Sequence, residues 1–145
     1  TGGSYGGYMT LMALAKTPDL WAAGVDLYGP INWMTMLQHA DPELAQYIRS
    51  LLGDPVKDAE VYRATAPITY LHDVKAPLLV LHGDNDPRIP KEEALQVVEL
   101  LRKDGKVVEA HFYADEGHGF YKRENQIDAT RRTVEWFDRY LKTKQ

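Results

Sequence analysis

No cysteine occurs in the 145 residues. Its absence excludes a disulfide framework, cysteine-ligated zinc and a cysteine nucleophile together. No apolar run approaches the ~18 residues of a membrane span, and no signal-peptide pattern opens the chain, so a cytoplasmic location is expected and no membrane partner. No excess of positive charge is present: 17 Lys and Arg face 21 Asp and Glu, for a net charge of −4. That balance lacks the basic footprint of a nucleic-acid binder. Repeats and low-complexity tracts are missing too. What remains is 44% hydrophobic and 26% charged, ordinary for one folded domain. The chain opens at Thr1 without an initiator Met and reaches Gly2-Gly3-Ser4 at once, which reads as the C-terminal piece of a longer protein.

Gly and Pro punctuate the rest. A buried helix is expected over Tyr5–Lys16, ended by Thr17-Pro18-Asp19. Ala22–Tyr28 reads as a short strand closed by Gly29-Pro30, although Asp26 interrupts its apolar run. From residue 32 to 73 no strand is visible. Asn32–Ala40, Glu43–Leu52 and Asp58–Ala64 read as short helices, and the stretch behaves as a helical insertion or lid. Pro77–His82 (PLLVLH) is continuously apolar, as a strand covered on both faces should be. A core-facing helix over Pro90–Lys103 follows, then a strand over Val107–Tyr113 and a turn at Asp115–Gly119. A last helix is expected over Gln126–Lys142, with Ile127, Val134, Phe137 and Leu141 as its apolar stripe and the charges from Arg123 to Lys144 on its solvated face. Alternation of this kind implies an α/β fold, a parallel sheet flanked by helices. Three strands make a thin sheet, which suggests that N-terminal strands are missing.

Gly2-Gly3-Ser4-Tyr5-Gly6 is G-x-S-x-G, the pattern of a serine on a sharp strand-to-helix turn with small neighbours. Alone it is weak, since chance yields one match in roughly twenty chains of this size at average Gly and Ser usage. Here an apolar helix follows at once, as the turn requires. A serine nucleophile needs a base, and the base an orienting acid, in the order Ser, Asp or Glu, His for this class of turn. Asp86 lies in the loop leaving PLLVLH, with Asp84 as a competitor. His118 lies in Glu116-Gly117-His118-Gly119, just past the next strand. All three candidates fall at carboxyl ends of strands, where open parallel sheets place their chemistry. His82 is expected to be packed or hydrogen-bonded, and His39, His72 and His111 do not have the spacing of a metal site.

GGSYGGYM, LHGDNDPRIP and DEGHGF together resemble the catalytic C-terminal domain of the prolyl oligopeptidase family of serine peptidases, nearest to its acylaminoacyl-peptidase and dipeptidyl-peptidase branch. The segment APITYLHDVKAPLLVLHGDNDPRIP is similar over its whole length, and the resemblance spans essentially all of residues 1 to 145. It implies the C-terminal part of an α/β-hydrolase fold, preceded in the family by a β-propeller that admits small peptides; no propeller is present here. By motif it implies Ser4 as nucleophile, Asp86 as orienting acid, His118 as general base and the Tyr5 backbone N–H as one oxyanion donor. Arg88 matches a position that contacts a substrate carbonyl, unless it pairs with Glu92 or Glu93. Trp33, Met36 and Ile89 match the lining of the first specificity pocket. No cofactor and no metal is expected; the partner is a short peptide or acyl substrate. A carboxylesterase on the same triad is the alternative enzyme. The other alternative is an incompetent fragment that self-associates. The strand before Ser4 and the segment supplying a second oxyanion donor are expected to be absent. Ala22–Tyr28 should then present an unpaired apolar edge and associate with another chain, with low activity in the isolated piece.

Overall fold

The computed structural model describes residues 1–142. Four parallel strands form one sheet in the order β1 (Gly2–Gly3), β2 (Gly24–Leu27), β3 (Leu78–Gly83), β4 (Val108–Tyr113). Between β1 and β2 runs α1 (Tyr5–Lys16), followed by a single 3-10 turn at Pro18–Leu20. Between β2 and β3 lie α2 (Trp33–His39), α3 (Pro42–Leu52), α4 (Ala59–Thr65) and a 3-10 stretch at Pro67–Asp73 that the sequence pattern did not show. The remaining helices are α5 (Lys91–Lys103), between β3 and β4, and α6 (Arg123–Leu141).

Two expectations about the sheet are corrected. The sheet has four strands rather than three, because Gly2 and Gly3 pair in parallel with Asp26 and Leu27, and the Ser4 N–H continues that ladder to the Leu27 carbonyl at 2.9 Å. β2 is also shorter than Ala22–Tyr28: Tyr28 turns to a positive φ of 44° and leaves the strand. The C-terminal half of the edge expected to be bare is therefore covered. An association through that edge would concern Gly24 and Val25, which β1 does not reach.

β3 is buried along its whole length, and its alternating side chains feed two cores. Leu78 and Val80 pack under α1 and α5 with Leu11, Leu14, Val97 and Leu101. Leu79 and Leu81 face α6 with Val25, Tyr113, Ala129 and Trp136. Of the stripe expected on α6, Phe137 packs against this core and the other three residues are corrected. Ile127, Val134 and Leu141 are more than half exposed, and Ala129 and Trp136 are the buried pair. Spaced seven residues apart, these two stack on one side of the helix, where the large indole fills the space above β3. The helix begins at Arg123, three residues earlier than expected. Of its expected solvated face, Thr143 and Lys144 lie outside the described residues.

A third core forms where Trp33, Met36, Leu44, Ile48, Tyr62 and Ala66, all between β2 and β3, meet Tyr8 of α1 and Ile89. α3 starts cleanly because the Asp41 carboxylate accepts the Leu44 N–H at 2.8 Å and Pro42 occupies the first turn. This layer rests on α1 through Tyr8, whose hydroxyl donates to the Thr65 carbonyl at 2.9 Å. The carboxyl ends of the strands therefore face the apolar sides of a helical roof. Among the described residues no helix is long and apolar enough to cross a membrane.

Candidate active site

Ser4, Asp86 and His118 come from the carboxyl ends of β1, β3 and β4 and meet there. The Ser4 Oγ lies 2.9 Å from His118 Nε2, and His118 Nδ1 lies 2.8 Å from Asp86 Oδ2. An ionised carboxylate can only accept, so Nδ1 carries the ring proton and donates to Asp86. Nε2 is left to accept the Ser4 O–H. The side chain of Asp86 is fully buried, while that of His118 is 27% exposed, which leaves the ring edge reachable from outside.

The elbow that presents Ser4 is strained. Its φ of 57° and ψ of −119° lie where non-glycine residues pay about 1–3 kcal/mol, and the helix that follows holds it there. The two glycines of the motif are not equivalent. A Cβ on Gly2 would sit 2.5 Å from the Gly6 carbonyl, so no side chain fits; one on Gly6 would meet nothing within 4 Å. Tyr5 is the first residue of α1, so its N–H has no intrahelical acceptor and lies immediately after the nucleophile candidate.

The acid loop is held at several points. Asp86 Oδ1 accepts the N–H groups of Arg88 and Ile89 at 2.8 and 2.9 Å. Burial pushes this carboxyl up, but the His118, Ile89 and Arg88 hydrogen bonds together outweigh it and hold the group below the usual carboxylate range. Asp84, the competing acid, points instead to Lys91 at 3.3 Å. His82 is wholly buried beneath the loop, with Nε2 2.8 Å from the Ile89 carbonyl; burial pulls its pKa down and keeps it neutral.

The loop bearing His118 is docked onto the acid loop. The Asn85 N–H donates to the Glu116 carbonyl at 2.9 Å, and the Asn85 amide to the Ala114 carbonyl at 2.7 Å. The Glu116 carboxylate then closes its own loop by accepting the Tyr121 and Lys122 N–H groups, each at 2.9 Å. Gly119 turns the chain with a φ of 82°, a conformation that glycine adopts without strain. Tyr28 packs edge-on against the His118 ring at 5.1 Å and Phe120 backs Tyr28 at 5.4 Å. These contacts restrict the tilt of the imidazole.

Beside Ser4 opens a recess of about 280 Å³ lined by Tyr5, Trp33, Met36, Ile48, Arg88 and Ile89, among others. Its walls are apolar, and the exposed Arg88 stands at its mouth. The pairing of Arg88 with Glu92 or Glu93 does not occur among the described residues; the Glu93 carboxylate instead receives the Ile31 and Asn32 N–H groups. All eight residues singled out from sequence thus lie at one site: Ser4, Tyr5, Trp33, Met36, Asp86, Arg88, Ile89 and His118.

A family model described as the prolyl oligopeptidase family matches residues 1–144. The chain belongs to the prolyl oligopeptidase family. It is 42% identical to dipeptidyl aminopeptidase BIII of Pseudoxanthomonas mexicana over 129 residues, which is 86% of this chain and 19% of that protein. An acylaminoacyl peptidase of Pyrococcus horikoshii superposes with a TM-score of 0.90 at 33% identity, over 99% of this chain and 24% of that one. A structure of an acylaminoacyl peptidase in complex with Z-Gly-Gly-Phe-chloromethyl ketone gives a TM-score of 0.88 at 33% identity, over 99% of this chain and 24% of that one. The chain spans about a fifth of the length of the curated relatives it matches.

For this prolyl oligopeptidase family chain, sequence reasoning missed part of the recess. Leu44, Tyr47 and Ile48 of α3 line it together with Pro30. A signal was there: Leu44 and Ile48 are four residues apart on a strongly amphipathic helix, so they had to face something apolar. The contribution of Glu93 had no comparable signal, because a Glu in the first turn of a helix ordinarily faces solvent. Among the described residues, no group of three or more His, Asp or Glu side chains gathers as a metal site.

Proposed function

We propose that the chain carries the catalytic face of a serine peptidase that cleaves short peptides through an acyl-enzyme. The observation that carries this reading is the hydrogen-bonded line Ser4 Oγ, His118 Nε2, His118 Nδ1, Asp86 Oδ2, with contacts of 2.9 and 2.8 Å. Ser4 attacks the scissile carbonyl while His118 takes its proton. Asp86 holds the ring tautomer and stabilises the imidazolium. The Tyr5 N–H donates to the oxyanion. The C–N bond then breaks, and the amine leaves with the proton from His118. A water, deprotonated by His118, attacks the acyl-serine carbon; the ester C–O bond breaks, Ser4 Oγ takes that proton back from His118, and the acid is released.

The recess receives the side chain next to the scissile carbonyl, and its apolar walls suit a large apolar residue. The similarity to a peptidase solved with a peptide chloromethyl ketone ending in Phe supports the same class of residue here. In the full-length chain, a fluorophosphonate probe should label Ser4, and Ser4→Ala should abolish both the label and hydrolysis of a dipeptidyl anilide. Labelling that persists in Ser4→Ala would overturn the assignment.

Arg88 distinguishes peptides from esters. Its guanidinium stands at the mouth of the recess and can donate to a peptide carbonyl remote from the scissile bond. A short acyl ester has no such carbonyl. Arg88→Ala is expected to lower kcat/KM on a dipeptidyl anilide by ~10-fold, the scale of one hydrogen bond to a charged group. Turnover of the ester should stay within about twofold. Equal losses on both substrates would assign Arg88 to loop support instead.

A further inference from the structure

α5 packs on the sheet through Ala94, Val97, Val98 and Leu101, and the same buried face contains a carboxylate, Glu93, which is 1% exposed. A buried carboxylate is costly unless its oxygens are bonded, and here they are. Oε2 accepts the Ile31 N–H at 2.9 Å and the Asn32 N–H at 2.8 Å. Oε1 accepts the Thr35 hydroxyl and, at 3.3 Å, the Gln96 amide. Burial pushes the Glu93 carboxyl up, opposed by these bonds.

The partners sit in one place. Ile31 and Asn32 form the link from β2 into α2, with Asn32 capping α2 through the Met34 N–H at 3.1 Å. Pro30, just before that link, and Trp33 and Met36, just after it, line the recess. At the start of α5 the Glu93 backbone N–H donates to the Pro90 carbonyl at 2.9 Å. Pro90 follows Arg88 and Ile89, which also line the recess. The Glu93 side chain therefore ties the β2–α2 link to the first turn of α5, which follows Arg88 and Ile89, bridging about sixty residues of sequence. An apolar residue of similar shape would leave two N–H groups of the link without an acceptor.

We propose that Glu93 is a positioning residue that sets the width of the recess beside Ser4, and with it the size of the acyl residue the site selects. The proposal rests on Ser4 being the nucleophile and the recess taking the acyl side chain. Glu93 does not itself line the recess; it acts through the placement of Trp33 and Met36 relative to Ile89. A looser wall weakens the grip on a side chain that fills the recess and matters little to one that does not. Discrimination of this sort in an apolar pocket spans about 10- to 200-fold.

The test compares two dipeptidyl anilides in the full-length chain, one with Phe and one with Ala next to the anilide. Glu93→Gln keeps the shape and one acceptor oxygen but puts an NH2 where a second acceptor stood. It should raise KM for the Phe substrate by ~10-fold, with kcat within about threefold, and change KM for the Ala substrate by less than about twofold. Thr35→Val, which removes the hydroxyl on Oε1 and keeps the volume, should shift the Phe-to-Ala preference the same way by ~3-fold; it decides the matter if Glu93→Gln does not fold. Labelling of Ser4 by a small fluorophosphonate should stay within about twofold in both variants, since the probe leaves the recess empty. If the wild type is labelled and both variants keep its Phe-to-Ala preference, or lose kcat equally on the two substrates, the positioning role is wrong. A wild type that takes no label and cleaves neither anilide overturns the nucleophile reading, and this proposal with it.

Discussion

Asp86→Asn is expected to lower kcat on a dipeptidyl anilide by about 10³- to 10⁴-fold while leaving the fold intact. The amide oxygen can replace Oδ1 in accepting the Arg88 and Ile89 N–H groups, which lie 2.8 and 2.9 Å away, so the loop has no reason to open. The amide nitrogen then faces His118 Nδ1, where an acceptor stood 2.8 Å away. A donor at that point reverses the ring tautomer: Nδ1 accepts, Nε2 carries the proton, and Ser4 loses its base. Asp84→Asn is the control. It removes only the partly exposed pair with Lys91 at 3.3 Å, the kind of interaction worth about 0–1 kcal/mol, and activity should remain within about twofold. Rates on the anilide, with circular dichroism as the check on folding, decide between the two aspartates. The reverse order of losses would move the orienting role to Asp84.

The residues of the candidate triad were legible because their chemistry is local. Ser4 is announced by its glycines and the helix behind it, and Asp86 and His118 by polar, Gly- and Pro-marked loops directly after apolar strands. Trp33, Met36, Arg88 and Ile89 came from motif resemblance instead, and they too lie on the recess. What stayed hidden depends on partners far away in the sequence. Gly2–Gly3 has no strand propensity of its own; it becomes a strand only because Asp26 and Leu27 offer a ladder. On α6 two apolar stripes compete, and Ala129 with Trp136 wins over Ile127, Val134 and Leu141 because the sheet surface it meets is formed by Val25, Leu79 and Leu81. Glu93 reads as an ordinary first-turn acid until the Ile31 and Asn32 N–H groups are seen against it.

Asp26 is another such residue, and it makes stability depend on pH. In sequence it only interrupts an apolar run; in the fold it is wholly buried in β2, facing Gly7 of α1 and Gly29. Its Oδ1 accepts the Gly29 N–H at 3.0 Å, and its Oδ2 has no partner among the described residues. Burial drives the carboxyl up from 3.8 to about 7, against the pull of the Gly29 hydrogen bond. Between those two values the folded chain holds a proton that the unfolded chain has released. Stability from this group is therefore complete below pH ~4, falls by about 1.4 kcal/mol per pH unit, and has lost on the order of 4 kcal/mol once the pH passes ~7. His82 and His111, both pulled down by burial, slope the other way below the free-histidine value of about 6.5, so the raw profile mixes the two effects. Asp26→Asn isolates one of them. The variant keeps an acceptor for Gly29 and cannot ionise, at the cost of an amide donor where Oδ2 lacked a partner. Thermal unfolding of the full-length wild type and variant at pH 5, 6, 7 and 8 should show the variant equal or slightly less stable at pH 5, increasingly more stable up to about pH 7, and levelling off by pH 8. A difference that does not change with pH would show that water reaches Asp26 and keeps it ionised in the fold.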